Sequence, residues 1–197
     1  MKVITDLRRL TFAAMIFIGL IFGISTGFFA YLQVNGNFHV VERGRVYRSG
    51  QLSSIELGRA INSYGLRSVL NLRGASPGEA WYDSEIAVSH TRGLAHYDYG
   101  INAEQPATVA QVEDILRTIR NAPKPILVHC KSGSDRTGLV SALYLFSRGE
   151  SAKNAEKELS LRYGHFPYLV GNTISMDDSF HAYVEHVLGE KKMMTVK

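Results

Sequence analysis

Three kinds of hydrophobic pattern run along this chain. The first is continuous: Leu10 to Leu32 (LTFAAMIFIGLIFGISTGFFAYL) holds no charged residue and has no polar face. About 20 apolar residues span a bilayer as a helix, so this stretch is read as a transmembrane anchor. The second pattern is helical. Ile55 to Tyr64 follows the caps Ser53-Ser54 and stops at Gly65, and Glu79 to His90 follows the breaker Ser76-Pro77-Gly78. Val109, Val112, Ile115, Leu116 and Ile119 mark an amphipathic helix over Ala107 to Arg120. Leu139 to Phe146, Ala152 to Tyr163 (capped by Ser151) and Ser179 to Leu188 complete the helices. The third pattern is short and β-prone: Arg67 to Arg73, Leu94 to Gly100, and Ile126 to Val128 after Pro125. Alternating strands and helices predict an α/β fold with a central, mostly parallel sheet flanked by helices.

The boundaries follow. Residues 1–33 form the membrane anchor or a signal peptide, 34–42 a turn-rich linker around Asn35-Gly36-Asn37, 43–190 the globular domain and 191–197 a solvated tail. A signal peptide shares the basic start and apolar centre, with a small-residue site at Ala30, but the apolar stretch is long for one. Lys2, Arg8 and Arg9 precede the span, while Arg43, Arg45 and Arg48 follow it. The positive-inside rule therefore leaves the side of the globular domain open.

The chemistry concentrates in Val128-His129-Cys130-Lys131-Ser132-Gly133-Ser134-Asp135-Arg136-Thr137-Gly138. A buried strand, a tight turn and a helix start bring successive backbone N–H groups into one concavity, with the helix dipole behind them. Such a cradle holds a phosphate. A thiol at its rim is a poised nucleophile, because helix N-termini and cations lower cysteine pKa. An arginine on the far side grips two phosphate oxygens.

Cys-x5-Arg-Thr after a strand ending in His resembles the phosphate loop of cysteine-dependent phosphatases, and its late position resembles their dual-specificity branch. The order Val46-Tyr47-Arg48-Ser49-Gly50-Gln51, helix, Gly65, strand, Asn71-Leu72-Arg73 is similar to an atypical microbial and plant subgroup. The resemblance covers about Arg43 to Phe146. It implies catalysis by Cys130, Arg136 and a general acid. It also implies substrate contacts from Lys131, Ser132, Gly133, Ser134, Asp135 and Thr137, whose hydroxyl would bond the sulfur, and support from His129, with no cofactor and no metal. Asp98 precedes Cys130 by 130 − 98 = 32 residues, which matches the dual-specificity interval, and it ends a β-like run at the sheet edge where such folds bind ligands. Asp135 is the second acid candidate and Glu104 a weaker third; Arg73, at a strand end, is a candidate for the mouth of the site.

His-Cys-Lys-x-Gly-x-x-Arg further resembles phosphatases of acidic lipids. With an anchor that reaches a membrane, it implies a phospholipid such as phosphatidylglycerophosphate as substrate. Phosphoprotein and inositol pyrophosphates are the rivals, and a binding module without turnover is a reading of a different class. Composition changes little. The 197 residues carry 45% hydrophobic residues and a formal charge of +4, enough for one domain and mildly favourable to anionic partners. The single cysteine excludes an internal disulfide framework, the histidines lack metal-ligand spacing, and the basic residues lack the clustering of a nucleic-acid binder.

Overall fold

The structure is a computed structural model, and residues 2–168 and 171–195 are described. The chain divides into two units, Met1–Asn35 and Gly36–Lys197. The first is one helix, α1 (Lys2–Val34). Its Leu10–Val34 stretch has a mean hydropathy of 2.1, and every residue from Leu10 to Tyr31 is exposed. By length and composition it is able to cross a membrane. Thr26 returns its hydroxyl to the Phe22 carbonyl at 2.8 Å, so even this polar group needs no water.

The second unit is built on a five-stranded sheet: β1 (His39–Glu42), β2 (Val46–Ser49), β3 (Ser68–Asn71), β4 (Ala95–Asp98) and β5 (Ile126–His129). The spatial order is β1-β2-β5-β3-β4. Only β1 runs antiparallel, so the mostly parallel sheet expected from the alternating pattern is present. β2, β3 and β5 are buried at all four positions, as strands covered on both faces must be. Alternate residues serve opposite cores. Leu70, Ile126 and Val128 pack with Ile115, Leu116, Leu139, Leu143 and Phe180; Tyr47, Val69 and Leu127 pack with Leu57, Leu66 and Leu94. Helices α4 (Val109–Asn121), α5 (Asp135–Ser147) and α7 (Ile174–Thr195) supply the first layer. Helices α2 (Ser54–Tyr64) and α3 (Ala80–Thr91) form the opposite face.

Local signals account for the helix starts. Ser53 and Glu56 form a reciprocal capping box on α2, and Gly65 ends it in the left-handed region at φ 64°. Thr108 and Gln111 do the same for α4. One expectation fails. Ala152 to Tyr163 is not a continuous helix: it is a single turn, α6 (Ala152–Ala155), followed by 3-10 turns at Glu156–Glu158 and Leu161–Tyr163. The cause is tertiary. Arg48 takes both the carbonyl oxygen (2.9 Å) and the carboxylate (2.6 Å) of Glu158, a pull that helical geometry does not satisfy. β1 falls within the stretch read as linker, and α7 extends beyond Ser179–Leu188 at both ends, taking in residues 191–195 of the stretch read as tail.

The register fixes where chemistry can happen. Ser49 pairs with His129, His129 with Asn71 and Asn71 with Asp98, so four parallel strands end level. Cys130 is the next residue after this edge.

Candidate active site

The turn from Cys130 to Ser134 joins β5 to α5. Cys130 is 1% exposed, and the Gly133 amide donates to its sulfur at 3.3 Å. The turn is shaped from outside. The Gln51 amide donates to Lys131 O (3.0 Å), Asn37 Nδ2 to Ser132 O (3.1 Å), and Arg48 Nη2 to Gly133 O (2.7 Å) and, more weakly, to Ser134 O (3.4 Å). In a trans peptide the N–H points away from the C=O. Four carbonyls held outward therefore turn the amides of Ser132, Gly133, Ser134 and Asp135 inward. Amides so turned, at the N-terminus of a 13-residue helix, have the geometry that an anion cradle needs.

Only glycine fits at 133. Its φ is +77°, and a Cβ there would stand 2.5 Å from the Gly50 nitrogen and 2.7 Å from the Ser49 carbonyl carbon. Arg136 anchors Nη1 on the carbonyls of Leu72 (3.3 Å) and Ile101 (3.4 Å). Lys131 is exposed, Ser132 is half-buried with its hydroxyl taking the Ser134 amide at 3.3 Å, and Ser134 is buried. Two expectations are corrected. Thr137 is fully buried and its hydroxyl points to Ser49 O at 3.4 Å, not to the sulfur. Asp135 is committed to His165, whose Nδ1 lies 2.7 Å away, and Asp177 takes the other ring nitrogen at 2.9 Å. Burial works against charge on His165, but the bonds from Asp135 and Asp177 raise its pKa to about 9.

Asp98 ends β4, partly exposed. It accepts from Asn71 Nδ2 (2.8 Å) and from the Tyr82 hydroxyl (2.7 Å). That second bond, with burial and the carboxylate charge behind it, pushes Tyr82 up to about 12. Two strand spacings separate Asp98 from His129, about 10 Å between backbones. Glu104 is exposed in a loop, where its amide bonds Asn102 Oδ1.

The family model of the tyrosine phosphatase family matches residues 30–161, two thirds of the chain. The chain belongs to that family. It is 35% identical over 111 residues to the inositol diphosphatase DSP1 of Oryza sativa subsp. japonica, a match covering 53% of this chain and 46% of the rice protein. It thus spans about half the length of that relative. Among solved structures, the catalytic core of the PP-IP phosphatase SIW14 from S. cerevisiae superposes with a TM-score of 0.61 at 18% identity, covering 79% of this chain and 93% of that one. TpbA of P. aeruginosa in complex with pTyr superposes with a TM-score of 0.58 at 18% identity, covering 74% and 83%. At these identities the structures establish a shared fold.

Arg73 stands beside Arg136 and Cys130. Its guanidinium lies 3.3 Å over the Trp81 ring and donates to Gln51 Oε1 at 2.9 Å. Burial and the neighbouring Arg136 push its pKa below the ordinary arginine value, while Glu85 and Cys130 pull the other way.

The sequence reading missed Arg48, Gln51 and Glu85. Arg48 is fully buried, paired with Glu158 and stacked 3.9 Å over Tyr163. Glu85 is 4% exposed and accepts from His129, His96 and Gln51. Burial favours its neutral form, yet the bonds from His129 and His96 outweigh it and hold its pKa at about 2. One signal was available. Glu85 lies three residues after Tyr82 and four before Ser89, and all three share the buried face of α3.

Proposed function

We propose that this chain is a membrane-anchored, metal-free phosphomonoester hydrolase. Its substrate carries a second anionic group near the scissile phosphate, and an acidic phospholipid such as phosphatidylglycerophosphate is the foremost case. The observation that supports this reading is the pair of guanidiniums, Arg73 and Arg136, brought close enough beside Cys130 that one depresses the pKa of the other. Two crowded cations gain most from a ligand with two anionic groups. Phosphatidylglycerophosphate has them in its monoester and diester phosphates, and α1 would tether the chain to a membrane.

The reaction has two steps. Thiolate Cys130 attacks phosphorus in line, the S–P bond forms as the P–O bond breaks, and Asp98 gives its proton to the departing oxygen. Water then attacks the phosphocysteine while Asp98 takes its proton, the S–P bond breaks, and inorganic phosphate leaves with the thiolate restored. The inward amides and Arg136 stabilise the equatorial oxygens throughout. Asp98 must exchange its bond to Tyr82 or Asn71 for one to the leaving oxygen.

The rice relative, named for inositol diphosphate, favours a second reading, because a diphosphate equally supplies two anionic groups to the arginine pair. Phosphotyrosine, as in the TpbA complex, supplies one.

The test is phosphate release by the full chain in detergent micelles from phosphatidylglycerophosphate, an inositol diphosphate and a phosphotyrosine peptide. Cys130→Ser should abolish release, and Asp98→Asn should lower it about 10²- to 10⁴-fold. Preference for the diphosphate would move the substrate to the second reading. Preference for the peptide would sink the two-anion argument. Wild type no better than Cys130→Ser on all three would leave a binding module.

A further inference from the structure

A buried carboxylate outside the reaction steps joins the two reacting groups. Glu85 Oε1 lies 3.1 Å from His129 Nε2 and 2.8 Å from His96 Nε2, and Glu85 Oε2 accepts from Gln51 Nε2 at 2.6 Å. His129 directly precedes Cys130, and its Nδ1 lies 3.2 Å from the Cys130 carbonyl oxygen. His96 stands two residues before Asp98, with Nδ1 3.7 Å from Asp98 Oδ2. One carboxylate therefore touches the imidazole behind the nucleophile and the imidazole beside the acid.

The hydrogen-bond partners decide what the carboxylate does there. Glu85 and the Cys130 carbonyl both accept, so a His129 ring bonded to both carries both protons and a positive charge. A charge held there reaches Cys130 through its backbone carbonyl and favours the thiolate. The other groups facing Glu85 are His96, Tyr82 on the same helix, and Arg73, which donates to the far end of Gln51. His96 donates to Glu85 through Nε2, which fixes the ring with Nδ1 toward Asp98.

We propose that Glu85 is a positioning residue that acts on Cys130 through His129 and on Asp98 through His96. The proposal rests on the roles given to Cys130 and Asp98 in the reading above. Glutamine at 85 keeps the size and hydrogen-bonding capacity but not the charge that retains the second proton of His129.

The experiment follows the rate of Cys130 alkylation by iodoacetamide against pH, using the full chain in detergent. Cys130 is the chain's one cysteine, so the label reports one thiol. Glu85→Gln is expected to raise the midpoint of the alkylation profile by at least about one pH unit, a tenfold loss of thiolate below the midpoint. His129→Gln should raise it similarly, and Glu85→Gln added to His129→Gln should raise it no further. His96→Asn should leave the midpoint in place and slow phosphate release, most for substrates with poor leaving groups. A folded Glu85→Gln chain with the wild-type midpoint overturns the proposal. If that variant does not fold, a wild-type midpoint in His129→Gln does so equally. Alkylation needs no substrate, so a chain that hydrolyses nothing still answers this question.

Discussion

Arg48 donates to the carbonyl oxygen of Gly133 at 2.7 Å from a strand adjacent to the one that leads into Cys130. The same guanidinium reaches Glu158, 110 residues further along the chain, at 2.6 Å. A buried charge costs several kcal/mol unless it is paired and bonded. Here the pairing turns the Gly133 carbonyl outward and, across the same peptide, the Ser134 amide inward. Glu158 thus shapes the cradle without touching it.

Arg48→Lys should therefore behave as a severe change. Lysine presents a point charge and does not span Glu158, Gly133 and Ser134 together. Breaking a buried pair costs about 3–5 kcal/mol, which should appear as a lower midpoint in urea unfolding. Oxyanion binding should weaken as well, since the Gly133 carbonyl loses its donor. A variant with wild-type stability would show that the Arg48–Glu158 pair holds nothing.

Gly133→Ala separates the cradle from the fold. A Cβ 2.5 Å from the Gly50 nitrogen cannot be accommodated without moving backbone, and the positive φ adds strain. Calorimetric titration with orthovanadate should show at least a hundredfold loss of affinity, about 3 kcal/mol. Undiminished vanadate affinity would mean that the turn does not bind the anion in the conformation described here.

Legibility in the sequence followed the range of the interactions. The helix over Ile55–Tyr64 was readable because Ser53, Glu56 and Gly65 sit within or beside it. The strand, turn and helix start around Cys130 to Arg136 were readable because these residues are contiguous, and the α/β class because strands and helices alternate. The residues that brace the site were not, because each acts across the chain: Arg48 on Glu158, Gln51 and His129 on Glu85, His165 on Asp135. The broken helix after Ser151 has the same origin. Its Lys and Glu spacing favours a helix, and the pull of Arg48 on Glu158 overrides it.

His165 makes stability depend on alkaline pH. Asp135 and Asp177 raise its pKa from 6.5 in the unfolded chain to about 9 in the fold, against the effect of burial. A folded-state value above the unfolded one gives stabilisation that is complete below about pH 6.5 and is lost as pH climbs through 9. The contribution is at most about 3 kcal/mol. Urea midpoints of the wild type should fall between pH 7 and 9.5 relative to those of His165→Gln. Parallel curves for the two proteins would remove the charge from His165.

Arg73→Gln tests the two-anion reading of the substrate. The stack on Trp81 and the bond to Gln51 hold the guanidinium in place before any ligand arrives, so little ordering is needed on binding. A charge-assisted hydrogen bond contributes about 1.5–3 kcal/mol, so kcat/KM for phosphatidylglycerophosphate or an inositol diphosphate should fall about 10- to 150-fold. Phenyl phosphate has no second anionic group and should lose severalfold at most. The comparison between substrates carries the argument. An equal loss on phenyl phosphate would place Arg73 in service of the scissile phosphate alone, and the preference for doubly anionic substrates would need another source.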